Sequence, residues 1–138
     1  MNNRIVLDAS AAANIVMRTD TAADLIEKLE ASAFVIAPGL FHSEIANTMW
    51  KYTHAGDVDT QTALFRYEEA ISLIDTFEAD NGLATEALTS AAKYNHPVYD
   101  MIYAVLARRY GCSILTVDRR FKSLLRKMEI PLTGTGTK

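Results

Sequence analysis

Short apolar runs alternate along this chain with longer segments of helical periodicity, and this alternation limits the folds open to it. Residues 5–7 (IVL) and 34–37 (FVIA) are two such runs, each suited to a strand that is buried on both faces. Between them, residues 21–31 (TAADLIEKLEA) carry leucine and isoleucine at helical spacing. A strand, a helix and a second strand in this order favour two parallel strands joined by a right-handed crossover.

The rest of the pattern extends the same architecture. Further strands are predicted over residues 72–77 and 114–117, with helices over residues 9–17, 40–54, 57–70, 82–94, 99–110 and 119–128. Residues 130–133 are predicted to form a short edge strand, where Pro131 is tolerated. The expected fold class is therefore α/β, a three-layer α/β/α sandwich with a central parallel sheet of four to five strands.

Length and composition favour one domain. A chain of 138 residues, 49% of them hydrophobic, has room for a single core, which we place over residues 1–133, followed by a flexible C-terminal tail at residues 134–138. The N terminus lacks the apolar core of a signal peptide, and no window approaches the roughly 18 apolar residues of a membrane span. We therefore expect a cytoplasmic protein with no membrane partner.

The single cysteine and the three histidines do not form a zinc-site pattern. Cys112 precedes the fourth predicted strand and is expected in the core. His42, His54 and His96 are scattered and are expected to be structural or exposed.

The net charge of -3 conceals an asymmetry along the chain. Residues 1–100 hold six Lys and Arg against fifteen Asp and Glu, a balance of -9, whereas residues 101–138 hold eight against two, a balance of +6. The basic residues of this second segment that lie near predicted strand four are Arg108, Arg109, Arg119, Arg120, Lys122, Arg126 and Lys127. They could form a local anion site or simply a solvated helix face, and both interpretations stay open.

Four acidic residues fall where the carboxyl ends of parallel strands would meet. Asp8 and Asp118 follow predicted strands directly, while Glu44 and Asp100 lie in the early turns of predicted helices. Ligands of open parallel sheets bind at this edge, so we expect the four carboxylates to converge there. Other acids, at positions 75, 78 and 80, are expected to be solvated loop charges.

Each of these residues also has a simpler explanation. Asp8 or Ser10 could be the N-cap of the helix that follows, and Asp118 is an acceptable N-cap as well. Glu44 shares a polar helical stripe with Asn47 and Lys51, and such stripes often face solvent.

A cluster of four carboxylates would need a compensating charge, because like charges disfavour each other's ionised forms. Oxygen ligands without histidine or thiolate select Mg²⁺ or Mn²⁺. Such cations commonly serve phosphoryl chemistry, in which two ions about 3.5 to 4 Å apart can activate water and stabilise the leaving oxygen.

Four segments around these acids resemble the motifs of a known family. VLDASAAANIV, FHSEIANTMWK, PVYDMIYAVLARRYG and ILTVDRRF are similar to the four acidic motifs of PIN-domain ribonucleases, and most closely to those of VapC-type toxins. The resemblance covers nearly the whole chain, with the acids in the expected order and spacing. No further acid or asparagine follows the fourth aspartate in RRFKS, where some family members carry one.

The resemblance implies a PIN fold and a metal-dependent endoribonuclease that is the toxin of a type II toxin–antitoxin pair. It assigns Mg²⁺ or Mn²⁺ to Asp8, Glu44, Asp100 and Asp118 and supporting hydroxyl groups to Ser10 and Thr116. It also implies structured RNA (tRNA or rRNA) as substrate, products with a 5′-phosphate and a 3′-hydroxyl, an antitoxin partner and a possible homodimer.

Arg119, Arg120 and Lys122 are hypothesised to contact RNA phosphates beside this site. One alternative is a catalytically silent PIN-like module that binds RNA or protein through the same cleft. A phosphatase or receiver domain is a further alternative, although the first strand ends in DAS without a second aspartate.

Overall fold

A four-stranded parallel sheet forms the centre of the structure, a computed structural model that describes residues 3–134. Its strands are β1 (Arg4–Leu7), β2 (Phe34–Pro38), β3 (Thr76–Glu78) and β4 (Ser113–Leu115). They lie in the order β3-β2-β1-β4, and every neighbouring pair is parallel. The prediction of an α/β fold with a parallel sheet of four to five strands is confirmed.

Helices cover both faces of this sheet. They are α1 (Ala9–Val16), α2 (Ala22–Glu30), α3 (Leu40–His54), α4 (Thr60–Ser72), α5 (Ala84–Tyr94), α6 (Val98–Tyr110) and α7 (Arg119–Lys127). A 3₁₀ turn, Asp80–Gly82, precedes α5. None of the helices within residues 3–134 combines the length and apolar character needed to cross a bilayer.

Successive strand residues divide between two hydrophobic cores, as the twofold period of a strand requires. Val6, Ile36 and Ile114 point into one core, which they share with α5, α6 and α7. Ile5 and Val35 point into the other, which they share with the four helices α1 to α4. The expected three-layer sandwich follows from the central residues of β1, β2 and β4, which are apolar and buried on both faces of the sheet.

The parallel arrangement fixes where the loops that carry function lie. Strands β1, β2 and β4 all end at one edge of the sheet, and α1, α3 and α7 begin there. Helix α6 leads back into β4 through Gly111, whose φ of 66° suits glycine, so the helix runs antiparallel to that strand. The N-terminus of α6 therefore lies at the carboxyl edge of the sheet as well.

Two strand predictions need correction. The segment predicted as a strand at residues 72–77 begins only at Thr76, because α4 continues to Ser72 and the apolar Leu73 and Ile74 close that helix. Residues 130–133 do not form a strand; Leu132 makes a single bridge to Ile114. Pro131 has no N–H with which to extend that pairing.

The acids at positions 75, 78 and 80 were expected to be solvated loop charges; this holds for the exposed residue 75, whereas residue 78 lies in β3 and residue 80 in the 3₁₀ turn, and all three also accept hydrogen bonds. The Asp75 carboxylate accepts the N–H of Val35 at 2.8 Å, and Glu78 accepts the hydroxyl of Tyr110 at 3.2 Å. Asp80 accepts the N–H of Leu40 at 3.0 Å and so caps α3, which begins after a glycine and has no side-chain cap of its own.

The predicted limits of the domain at residues 1–133 stay a prediction. Of the predicted tail at residues 134–138, positions 135–138 lie outside the described residues.

Candidate active site

Asp8 occupies the junction between β1 and α1 and is buried, with 6% of its surface exposed. Its Oδ1 accepts the N–H of Ala11 at 3.0 Å and the hydroxyl of Ser10 at 2.8 Å, and its Oδ2 accepts the hydroxyl of Thr116 at 2.5 Å. Burial raises the pKa of Asp8 to about 6, against the lowering effect of these three hydrogen bonds, and the charge of Asp100 adds to the rise.

Ser10 and Thr116 join the ends of β1 and β4. Their hydroxyl oxygens lie 3.2 Å apart, and the Ser10 hydroxyl also accepts the N–H of Val117 at 3.2 Å. Thr116 accepts the N–H of Asp118 at 3.1 Å. Strand β4 ends at Leu115, two residues earlier than the strand predicted at 114–117, and these bonds take the place of the strand ladder at residues 116–118.

Asp118 is the N-cap of α7. Its Oδ1 accepts the N–H of Phe121 at 3.1 Å, and the residue is exposed. Capping occupies one carboxylate oxygen, so it does not prevent the other from binding a ligand.

Glu44 lies in the second turn of α3 and is held by Tyr103 from α6. The Tyr103 hydroxyl donates to Oε1 of Glu44 at 2.7 Å. Burial raises the pKa of Glu44, Tyr103 lowers it, and the charges of Asp8, Asp100 and Asp80 raise it further. Burial and the charge of Glu44 also raise the pKa of Tyr103 well above 10, which keeps its donor proton in place.

Asp100 lies in the first turn of α6 and contacts His96. The Nε2 atom of His96 is 2.7 Å from Oδ2 of Asp100, and only 9% of the histidine side chain is exposed. His96 was expected to be structural or exposed, and the structure places it beside a candidate site residue.

The four acids line one cleft of about 250 Å³ at the carboxyl edge of the sheet. The other lining residues are Ala9, Ser10, Asn47, Thr48, Lys51 and Tyr103. The polar stripe of Glu44, Asn47 and Lys51 thus faces the cleft, and Lys51 contributes a positive charge to its lining. The sequence analysis assigned no role to Tyr103. The signal that could have pointed to it is its position three residues after Asp100, a spacing that brings two helical side chains together.

A larger groove of about 300 Å³ lies between α3 and α4, away from the acids. Its walls are almost entirely apolar and include Met49, Trp50, Leu64 and Tyr67. Because no carboxylate lines this groove, we assign the chemistry to the smaller polar cleft.

The basic residues separate into two groups. Arg108 and Arg109 lie at the far end of α6 and bind Glu86 of α5 at 2.8 and 3.1 Å. The interpretation that placed these two arginines beside the acids is therefore wrong. Arg119 and Arg120 are exposed in the first turn of α7, directly after Asp118, and Lys122 is half-buried one turn further on.

The donor set fits a hard divalent cation, because the cleft offers carboxylate oxygens and the carboxylates raise one another's pKa. Within residues 3–134, however, no three Asp, Glu, His or Cys side chains lie close enough to hold one ion directly. Binding would therefore require bridging waters or a small shift of the side chains.

Comparison with known proteins gives one family. A family model described as the PIN domain matches residues 5–127. Ribonuclease VapC3 from Pyrobaculum aerophilum is 25% identical over 119 residues, which cover 85% of this chain and 91% of that protein.

Solved structures share the fold. The Pyrobaculum aerophilum protein PAE2754 superposes with a TM-score of 0.69 at 23% identity, over 91% of this chain and 89% of its own. Mycobacterium tuberculosis VapC20, described as a Sarcin-Ricin loop cleaving toxin, gives 0.64 at 15% identity, with coverage of 87% and 94%. VapBC2 from Rickettsia felis, bound to a promoter DNA fragment, gives 0.63 at 12% identity, with coverage of 87% and 92%.

Burial of Asp8 predicts a pH-dependent stability in the presence of EDTA. The folded-state pKa of about 6 exceeds the ordinary value of 3.8, so protonation favours the folded state. This contribution is complete below pH 3.8 and is lost as pH rises through about 6. Between about pH 4 and 7, the wild type should therefore lose about 2 to 3 kcal/mol of unfolding free energy relative to Asp8→Asn, as urea denaturation would measure.

Asp59→Asn is the matched control, because Asp59 is an exposed N-cap whose pKa is lowered by the Thr62 N–H. Its effect should have the opposite sign and should fall at and below the ordinary value of 3.8, so between about pH 4 and 7 the stability difference between the wild type and Asp59→Asn should change little. A difference between wild type and Asp8→Asn that does not change with pH would contradict the expected burial effect.

Proposed function

Because this chain belongs to the PIN domain family, we propose that it is a Mg²⁺- or Mn²⁺-dependent endoribonuclease and the toxin of a type II toxin–antitoxin pair. The observation that carries the proposal is the meeting of Asp8, Glu44, Asp100 and Asp118 in one cleft. Similarity to Ribonuclease VapC3 supports the activity.

In the proposed mechanism, the four acids hold the cation and the surrounding residues hold the acids. When bound, such a cation supplies Lewis-acid stabilisation of phosphate charge and acidifies water. Ser10 and Thr116 orient Asp8, and Tyr103 orients Glu44.

Substrate binding is assigned to the cations around the cleft. Lys51 lines the cleft together with the four acids and would contact the scissile phosphate. Arg119, Arg120 and Lys122 would contact neighbouring phosphates of the RNA. Structured RNA, either tRNA or rRNA, is the proposed class of substrate, in analogy with the Sarcin-Ricin loop named for VapC20.

The proposed protein partner is a cognate antitoxin, as the paired name of VapBC2 suggests by analogy. A homodimer is proposed as well, from the resemblance to VapC-type toxins alone. We place the protein in the cytoplasm, where RNA of these classes is found.

A catalytically silent PIN-like module that binds RNA or protein is the second candidate. The observation in its favour is that residues 3–134 contain no three metal-ligating side chains at direct coordination distance. Against it, a surface that only binds RNA phosphates gains nothing from gathering four acids. The PIN domain match removes the support for a phosphatase or receiver domain.

Replacement of Asp118 by Asn separates cation binding from helix capping. Asparagine caps a helix as well as aspartate does, so the unfolding free energy should change by no more than about 0.5 kcal/mol. Loss of the carboxylate charge should lower the rate of Mn²⁺-dependent RNA cleavage by at least about a hundredfold. Urea denaturation and a cleavage assay on total RNA measure the two quantities.

Asp59→Asn again provides the control, because Asp59 caps α4 with the same geometry and does not line the cleft. Its activity should equal that of the wild type. If Asp118→Asn cleaves RNA at the wild-type rate, Asp118 is a cap alone and the four-acid mechanism fails.

The proposed phosphate contacts predict the salt dependence of RNA binding. Replacing Arg119, Arg120 and Lys122 together by alanine should reduce the slope of log K against log salt by about 2, at roughly 0.7 for each phosphate contact. Binding to a single-stranded RNA in EDTA, measured by fluorescence anisotropy, would give the slope.

The control is the double variant Arg108→Ala, Arg109→Ala, which removes two cations that pair with Glu86 at the far end of α6. Its slope should match that of the wild type. An unchanged slope in the triple variant would rule out the assignment of these three residues.

A further inference from the structure

We propose that His96 is a positioning residue for Asp100, holding one oxygen of its carboxylate so that the other is presented to the cation. The inference rests on the proposed function and adds a residue outside the four acidic motifs. Its basis is the contact of 2.7 Å between Nε2 of His96 and Oδ2 of Asp100.

The backbone fixes His96 before its side chain makes this contact. Helix α5 ends at Asn95, which adopts a left-handed conformation with φ of 52°, and the N–H of His96 then donates to the carbonyl of Ala91 at 3.1 Å. Pro97 follows and restricts the backbone of the residue before it. With its side chain only 9% exposed, His96 has little freedom to turn away from Asp100.

Within residues 3–134, the Asp100 carboxylate has one hydrogen-bonding partner, which is His96. It lies at the third position of α6, whose N-cap is Pro97 and makes no side-chain hydrogen bond. No described residue donates a hydrogen bond to Oδ1 of Asp100, so the contact with His96 is the hydrogen bond that can orient the carboxylate.

The same arrangement recurs at two other acids of the cleft. Tyr103 binds Oε1 of Glu44, and the N–H of Phe121 binds Oδ1 of Asp118. In the part of the chain that the structure describes, the second oxygen of each carboxylate accepts no hydrogen bond. Each of these carboxylates therefore has one oxygen that accepts a hydrogen bond and a second oxygen that could bind a cation. His96 holds Asp100 in the same way that Tyr103 holds Glu44.

Holding a carboxylate in place should increase its affinity for a cation, because less side-chain freedom is lost on binding. Replacement of His96 by glutamine or by asparagine, which differ by one methylene, tests the hydrogen-bond donor of His96 separately from the rest of the imidazole ring. Glutamine can place its amide N–H where Nε2 of histidine lies, whereas the asparagine amide is too short to reach Oδ2 of Asp100.

Isothermal titration calorimetry with Mn²⁺ alone gives a readout that does not depend on RNA cleavage. His96→Asn should weaken Mn²⁺ binding by about tenfold or more, and His96→Gln should stay within about threefold of the wild type. Asn95→Gly, which alters the same connection at a residue with positive φ, should bind Mn²⁺ like the wild type. The Asp100→Asn variant gives the Mn²⁺ affinity that is expected when the carboxylate itself is lost.

The outcomes separate this inference from the proposed function. If the wild type binds Mn²⁺ and the Asn and Gln variants bind it equally well or equally poorly, the donor of His96 has no positioning role. If the wild type binds no Mn²⁺, the proposed function fails, and the inference fails with it. Rescue by glutamine but not by asparagine supports the inference.

Discussion

The structure depends on a buried carboxylate at the junction of β1 and α1. Asp8 is placed where water cannot solvate it, and three donors from α1 and the end of β4 take the place of that water. These bonds start α1 and tie the two central strands together at their carboxyl ends. The pKa near 6 shows that the donors offset the cost of burial only in part. The folded chain therefore keeps a negative charge that a cation in the cleft would stabilise.

The other acids are tied to this centre across the layers of the fold. Glu44 stands on α3, which packs on one face of the sheet, and its partner Tyr103 stands on α6, which packs on the other. This hydrogen bond joins the two helices at the cleft. His96, in the turn before α6, holds the Asp100 carboxylate in the same way. The carboxylates of Asp8, Glu44 and Asp100 are thus each held by a residue outside the helix that they start or stand on, so the shape of the cleft depends on several elements of the sandwich.

The sequence was sufficient to place the four acids because their positions follow from topology. Asp8 and Asp118 stand at strand ends, and a parallel sheet brings such ends together without reference to side-chain detail. The sequence alone did not place Arg108 and Arg109 correctly. They follow Asp100 closely in sequence, but at 1.5 Å per residue Arg108 lies about 12 Å further along the axis of the helix. The roles of His96 and Asp80 were also out of reach, and Tyr103 offered only its helical spacing from Asp100. Each depends on a contact set by helix packing or by a chain reversal such as the one at Asn95.

The central claim is that the four-acid cleft uses a divalent cation to direct water at an RNA phosphate. Cleavage of a structured RNA by the purified protein, compared in Mn²⁺ and in EDTA and followed by analysis of the fragment ends, tests it most directly. Cleavage is expected in Mn²⁺ and not in EDTA, with fragments that carry a 5′-phosphate and a 3′-hydroxyl. Equal cleavage in EDTA would contradict it. So would fragments that end in a 2′,3′-cyclic phosphate, because these arise when the ribose hydroxyl, and not water, attacks the phosphate.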